Sequence, residues 1–132
     1  MRTESKNLRV LIVEDDADTR ELYCEALKIL DVHSETAACA KGALEALAPT
    51  NDAPTAVILD LNVPGMPTAE FHEKLIKTLD RSRTKLIVIS GADTISEQAK
   101  GLGAWRSLRK PFELGELLST MRELRSESTI GA

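Results

Sequence analysis

Three short apolar runs punctuate the chain, at Leu8 to Val13, Ala56 to Leu59 and Leu86 to Ile89, each rich in Val, Ile and Leu and each stopping abruptly at a polar residue. Runs of this length and composition predict strands buried on both faces. Between and after them, apolar positions recur at helical spacing: Leu22, Ala26, Ile29 and Leu30; Ala40, Ala43, Leu44 and Leu47; Phe71, Leu75 and Leu79; Ile95, Ala99 and Leu102; Leu114, Leu117, Leu118 and Met121. Each set forms one i, i+3, i+4, i+7 face, so five helices are expected, with those residues turned inward.

Alternation with five helices requires two more strands. The segments Val32 to Ala38 and Ser107 to Arg109 supply them, and their greater polarity fits the edges of a sheet. Five β-α units joined by short connections predict an α/β domain, a doubly wound parallel sheet with right-handed crossovers. Asp16 or Asp18 is placed to cap the first helix, Pro49, Asn51 and Pro54 mark a loop after the second, and Gly101-Leu102-Gly103 reads as a helix end followed by a turn. The domain is expected over residues 8–125, with an N-terminal extension at 1–7 and a frayed tail at 126–132.

Composition narrows the function classes. A chain of 132 residues with 42% hydrophobic and 29% charged content suits one domain. A net charge of -4 with interspersed signs provides no basic stripe, so direct nucleic-acid binding is not expected. Cys24 and Cys39 lack any metal or disulfide spacing and read as free thiols, and His33 and His72 read as surface residues. No apolar run has the length of a signal peptide or membrane span, which points to a cytoplasmic protein without a membrane partner.

The chemistry lies in where the polar residues fall. Glu14 and Asp15 follow the first strand, Asp60 the third, Ser90 the fourth and Lys110 the fifth. Open parallel sheets bind ligands at the carboxyl ends of their strands. Carboxylates held together repel unless a cation sits among them, and an all-oxygen set without His or Cys favours a hard ion such as Mg2+. A cation beside a carboxylate, an ammonium and a hydroxyl makes a phosphoryl site: Lys110 and the metal neutralise its oxygens, Ser90 donates to one, and Asp60 is the nucleophile.

These residues sit in four motifs, V-E-D-D (Val13 to Asp16), I-L-D-L-N-V-P-G-M (Ile58 to Met66), I-S-G (Ile89 to Gly91) and K-P-F (Lys110 to Phe112). Together they resemble the receiver domains of two-component response regulators, such as the chemotaxis regulators, over roughly Leu8 to Arg125. The resemblance implies a flavodoxin-like sheet of order 2-1-3-4-5. It also implies Asp60 as phospho-acceptor from a sensor histidine kinase or histidine phosphotransfer protein, for control of a downstream effector, and a homodimer is compatible with it. Asp15, Asp60 and the backbone carbonyl of Asn62 would ligate Mg2+, with Glu14 acting mainly through water. Ser90 would be the switch hydroxyl, Lys110 the phosphate-pairing cation, and the Lys110–Pro111 bond cis. The chain departs from the family pattern at Ser107, where an aromatic switch residue is usual. Trp105, two residues earlier, is expected to share the face of Ser107 and to take over part of that role as a switch or partner anchor.

Two other functions compete with this reading. A haloacid-dehalogenase-type phosphatase would carry a second Asp two positions after the nucleophile, where this chain has Asn62, and its acidic pair would come last rather than first. A degenerate receiver acting as an unphosphorylated adaptor is opposed by the complete set of Asp15, Asp60, Ser90 and Lys110.

Overall fold

The computed structural model describes residues 8–49 and 52–130, with side chains as far as Glu127. The elements alternate in the expected way: β1 (Arg9–Val13), α1 (Ala17–Ile29), β2 (His33–Ala37), α2 (Ala40–Ala46), β3 (Ala56–Asp60), α3 (Thr68–Thr78), β4 (Lys85–Ser90), α4 (Ile95–Leu102), β5 (Arg106–Arg109) and α5 (Leu114–Ile130). The strands form one five-stranded sheet in the order β2-β1-β3-β4-β5, and every pairing is parallel. The two polar strands are its edges, and the three apolar runs fill its centre, where helices cover both faces.

Alternation along the strands sends side chains to two separate cores. Val57 and Leu59 of β3 join Leu86 and Val88 of β4 beneath α2, α3 and α4, with Phe71 and Leu75 as the anchors. Ile58, Ile87 and Ile89 face the other way, against Tyr23, Leu27, Leu117 and Met121 of α1 and α5. Each fully buried side chain of this size contributes roughly 1.5–3 kcal/mol.

The helix faces of α2, α3, α4 and α5 agree with the spacing argument, but α1 is rotated. Tyr23, Ala26 and Leu27 are its buried residues, while Leu22 and Ile29 are exposed at 49% and 71%. Tyr23 decides the phase, since its ring stacks on Phe112 at 5.9 Å between centroids. Asp16 is the N-cap, accepting from the Thr19 backbone N–H at 2.9 Å. At the far end of α4, Gly103 closes the helix at φ 68°, a left-handed geometry suited to glycine. The guanidinium of Arg81 donates there to the carbonyl oxygens of Gly103 and Leu102.

Helix α5 continues to Ile130, past the boundary expected at Arg125. No Gly or Pro interrupts that stretch, and Glu127 pairs with Lys85 of β4 at 3.4 Å. The extension at 1–7, Asn51 of the loop after α2, and the last two tail residues lie outside the described residues. Among the described residues no helix is long and apolar enough to cross a membrane.

Candidate functional site

The sheet register brings the polar strand ends together. Asp60 pairs with Ile89, one position before Ser90, and Ser90 pairs with Arg109, one position before Lys110. Lys110 Nζ donates to Asp60 Oδ2 at 2.6 Å and lies 3.6 Å from Glu14 Oε1. The other oxygen of Asp60 accepts from the Asn62 backbone N–H at 2.8 Å. Ser90 Oγ accepts from the Ala92 backbone N–H at 3.0 Å, and the Lys110 backbone N–H reaches the Ser90 carbonyl at 2.9 Å. The Lys110–Pro111 bond is cis, in line with the resemblance. On the α1 side of Lys110 lies an open groove of about 470 Å³, bounded also by Thr19, Tyr23 and Phe112.

Glu14 and Asp60 are only 2% and 6% exposed, so two acidic groups are held out of water against one ammonium. Burial pushes the Glu14 carboxyl up to about 7; a hydrogen bond from the Asp16 backbone opposes this, and the neighbouring Asp60 adds to it. For Lys110, burial works against the charge, but the bond to Asp60 and the field of both carboxylates outweigh it and raise its pKa. Glu14 Oε2 accepts from the Asp16 N–H at 3.1 Å, whereas Oε1 accepts no hydrogen bond although it is buried.

Asp15 and Asn62 are exposed at the rim. Glu14 and Asp60 are the two buried carboxylates of the site, while Asp15, in the bend after β1, is exposed. Among the described residues no three acidic, His or Cys side chains gather closely enough to hold an ion in this arrangement. The donor chemistry nonetheless fits a hard cation: an all-oxygen set, an unbonded buried oxygen on Glu14, and a carboxyl whose anion is penalised until positive charge arrives.

Arg20 belongs to this site and was not singled out from the sequence. Its Nη1 donates to the Glu14 carbonyl at 2.9 Å and to the Asp15 carbonyl at 3.4 Å, tying the acidic loop to the first turns of α1. The signal available was an Arg placed within reach of an acidic strand-to-helix loop.

The expectation that Trp105 and Ser107 share a face is corrected. Ser107 pairs with Val88, whose side chain belongs to the core under α2, α3 and α4; Trp105 packs on the opposite core, with α1 and α5. Regular alternation begins only at Arg106, so the pleat does not extend back to Trp105. The ring is instead flanked by Arg106 at 4.3 Å and Lys85 at 5.4 Å. These two cations pair with Glu123 and Glu127 of α5 at 3.6 and 3.4 Å.

The remaining candidates carry local roles. Cys24 and Cys39 are free and half-buried, and Cys39 Sγ caps α2 by accepting from the Gly42 N–H at 3.4 Å. His33 is exposed, while His72 is half-buried and burial lowers its pKa.

Comparison with known proteins agrees with this geometry. The response regulator receiver domain family matches residues 10–122. The response regulator MprA of Mycolicibacterium vanbaalenii is 36% identical over 124 residues, covering 92% of this chain and 52% of that protein. The chain thus spans about half the length of the curated relatives it matches. Among solved structures, a CheY-like receiver domain protein from Methanospirillum hungatei superposes with TM-score 0.81 at 26% identity, covering 96% of this chain and 100% of that one. TrrA of Thermotoga maritima, solved in complex with Mg(2+)-BeF, has TM-score 0.72 at 25% identity, covering 89% of this chain and 98% of that one. With its sheet order, its carboxyl-edge cluster and a family match over most of its length, this chain belongs to the response regulator receiver domain family.

Proposed function

We propose that the chain is a phosphorylation-controlled switch that accepts one phosphoryl group on Asp60 from the phosphohistidine of a sensor histidine kinase or phosphotransfer protein. It acts in the cytoplasm, and the modification alters binding of a downstream effector. The observation that carries this reading is the Asp60 carboxylate, enclosed at the end of β3 and held by Lys110 Nζ at 2.6 Å.

In the reaction an Asp60 oxygen attacks phosphorus, the bond to the donor nitrogen breaks, and the electron pair leaves with the imidazole. The Asn62 N–H fixes the carboxylate's orientation. Lys110 stays within reach of the oxygens on which charge spreads, and the Ser90 hydroxyl retains its own proton for donation to one of them. Glu14, Asp15, Asp60 and the Asn62 backbone carbonyl would hold Mg2+, which supplies further neutralisation of phosphoryl charge when bound. Trp105 and Ser107 flank the regions where an effector would read the change: Trp105 from the side of α5, Ser107 from the side of α4.

Acetyl phosphate with Mg2+ is expected to add a single phosphoryl group, located at Asp60 by mass spectrometry. Asp60→Asn should take up none, and a chelator should suppress labelling of the wild type. Equal labelling of the Asn variant, or labelling indifferent to chelator, sinks the assignment; a wild type that never labels would favour the unphosphorylated adaptor.

A further inference from the structure

The segment from Gly91 to Thr94 links Ser90 to α4. Because Ser90 Oγ is bonded to the Ala92 backbone N–H, a displacement of the hydroxyl carries this segment with it. What holds the segment in place is sparse. Thr94, at the N-cap position of α4, makes no side-chain cap bond, and Ser107, the β5 residue on the α4 side, is exposed and too short to brace it. Besides the bond to Ser90 Oγ in β4, its side-chain tie among the described residues is the ion pair of Asp93 with Arg109, the last residue of β5. Arg109 immediately precedes Lys110 and pairs in register with Ser90. The ion pair therefore joins the loop bearing the hydroxyl to the strand bearing the ammonium.

We propose that the Asp93–Arg109 ion pair is a latch that holds the Ser90 loop in its unphosphorylated position and releases it when Asp60 is phosphorylated. The proposal rests on Asp60 being the phospho-acceptor. The two side chains are 86% and 58% exposed, and a solvated pair of this kind shifts an equilibrium by only about two- to five-fold. That strength suits a release mechanism: a much stronger tie would lock the loop, and none would leave it unbiased.

A latch differs from a simple charge effect in sign. Asp93→Asn makes the neighbourhood of the site more positive and Arg109→Gln makes it more negative, so through-space electrostatics shifts affinity for an anionic phosphoryl mimic in opposite directions. Loss of a latch shifts it in the same direction in both. The test uses both single variants and the charge-reversed double variant Asp93→Arg/Arg109→Asp. Hydrogen exchange is read at the amides of residues 91–94 in the unphosphorylated protein, and beryllofluoride is titrated in the presence of Mg2+. Both single variants are expected to exchange about two- to five-fold faster there and to bind beryllofluoride tighter by a similar factor, with the reversed pair returning toward wild type. Unchanged exchange in the single variants alongside normal beryllofluoride binding overturns the latch alone, as do opposite shifts in affinity. A wild type that neither binds beryllofluoride nor labels with acetyl phosphate overturns the phospho-acceptor reading, and with it the latch's trigger.

Discussion

Leu59 and Asp60 stand side by side in β3 and are both enclosed, but they face different requirements. Leu59 is fully buried among apolar neighbours, where removal from water is itself favourable. Asp60 is buried beside Glu14 and pairs with the half-exposed Lys110, so desolvation of the carboxylates is costly and the pairing only offsets it. The interior of the sheet is apolar, whereas its carboxyl edge gathers charge. A single strand passes from one to the other in one residue.

The largest expected effect breaks the interior. Leu59→Ala should lower stability by about 2–5 kcal/mol in a urea titration, while phosphoryl uptake by the fraction that remains folded stays near wild type. A loss of uptake out of proportion to unfolding would mean that edge and interior are not separable. The next effect sharpens the edge. The Glu14 carboxyl is raised from 4.5 to about 7 by burial, so the folded state binds the extra proton between those values. Its contribution favours folding below about pH 4.5 and is lost as pH rises to about 7. Stability without Mg2+ should fall across that window by on the order of 1–2 kcal/mol after allowance for solvent screening, and Glu14→Gln should flatten the slope. A slope preserved in the Gln variant would assign the dependence to another group. The smallest effect lies at the opposite edge of the sheet, where a Cβ on Gly103 would sit 2.8 Å from Arg81 Nη1 at a left-handed φ. Gly103→Ala should cost about 1 kcal/mol in the same titration and leave labelling of Asp60 intact.

The same division governs what could be read from the sequence. The central strands were legible because runs such as Ala56 to Leu59 can only be buried on both faces. The site was legible because topology alone places strand ends together, whatever the side chains do afterwards. Helix α1 was not, because Leu22 and Ile29 offer an apolar face as regular as that of Tyr23 and Leu27, and the choice between them is made by Phe112 in a distant loop. The Trp105 expectation failed where a period-two argument was carried one residue outside its strand. Arg20 turned in toward the acidic loop for reasons of local direction that residue identity does not carry.

Lys110 and Asp60 are 50 positions apart in sequence, and Glu14 comes from a third part of the chain. These groups meet only after β5 has docked beside β4, the last pairing along the chain. The cluster is thus a certificate of completed folding: a nascent chain still lacking its final strand, or a nicked copy whose β5 has come away, has the acidic residues but no ammonium beside them. Under the proposed function, competence to respond is tied to integrity of the whole domain, with no separate inspection step.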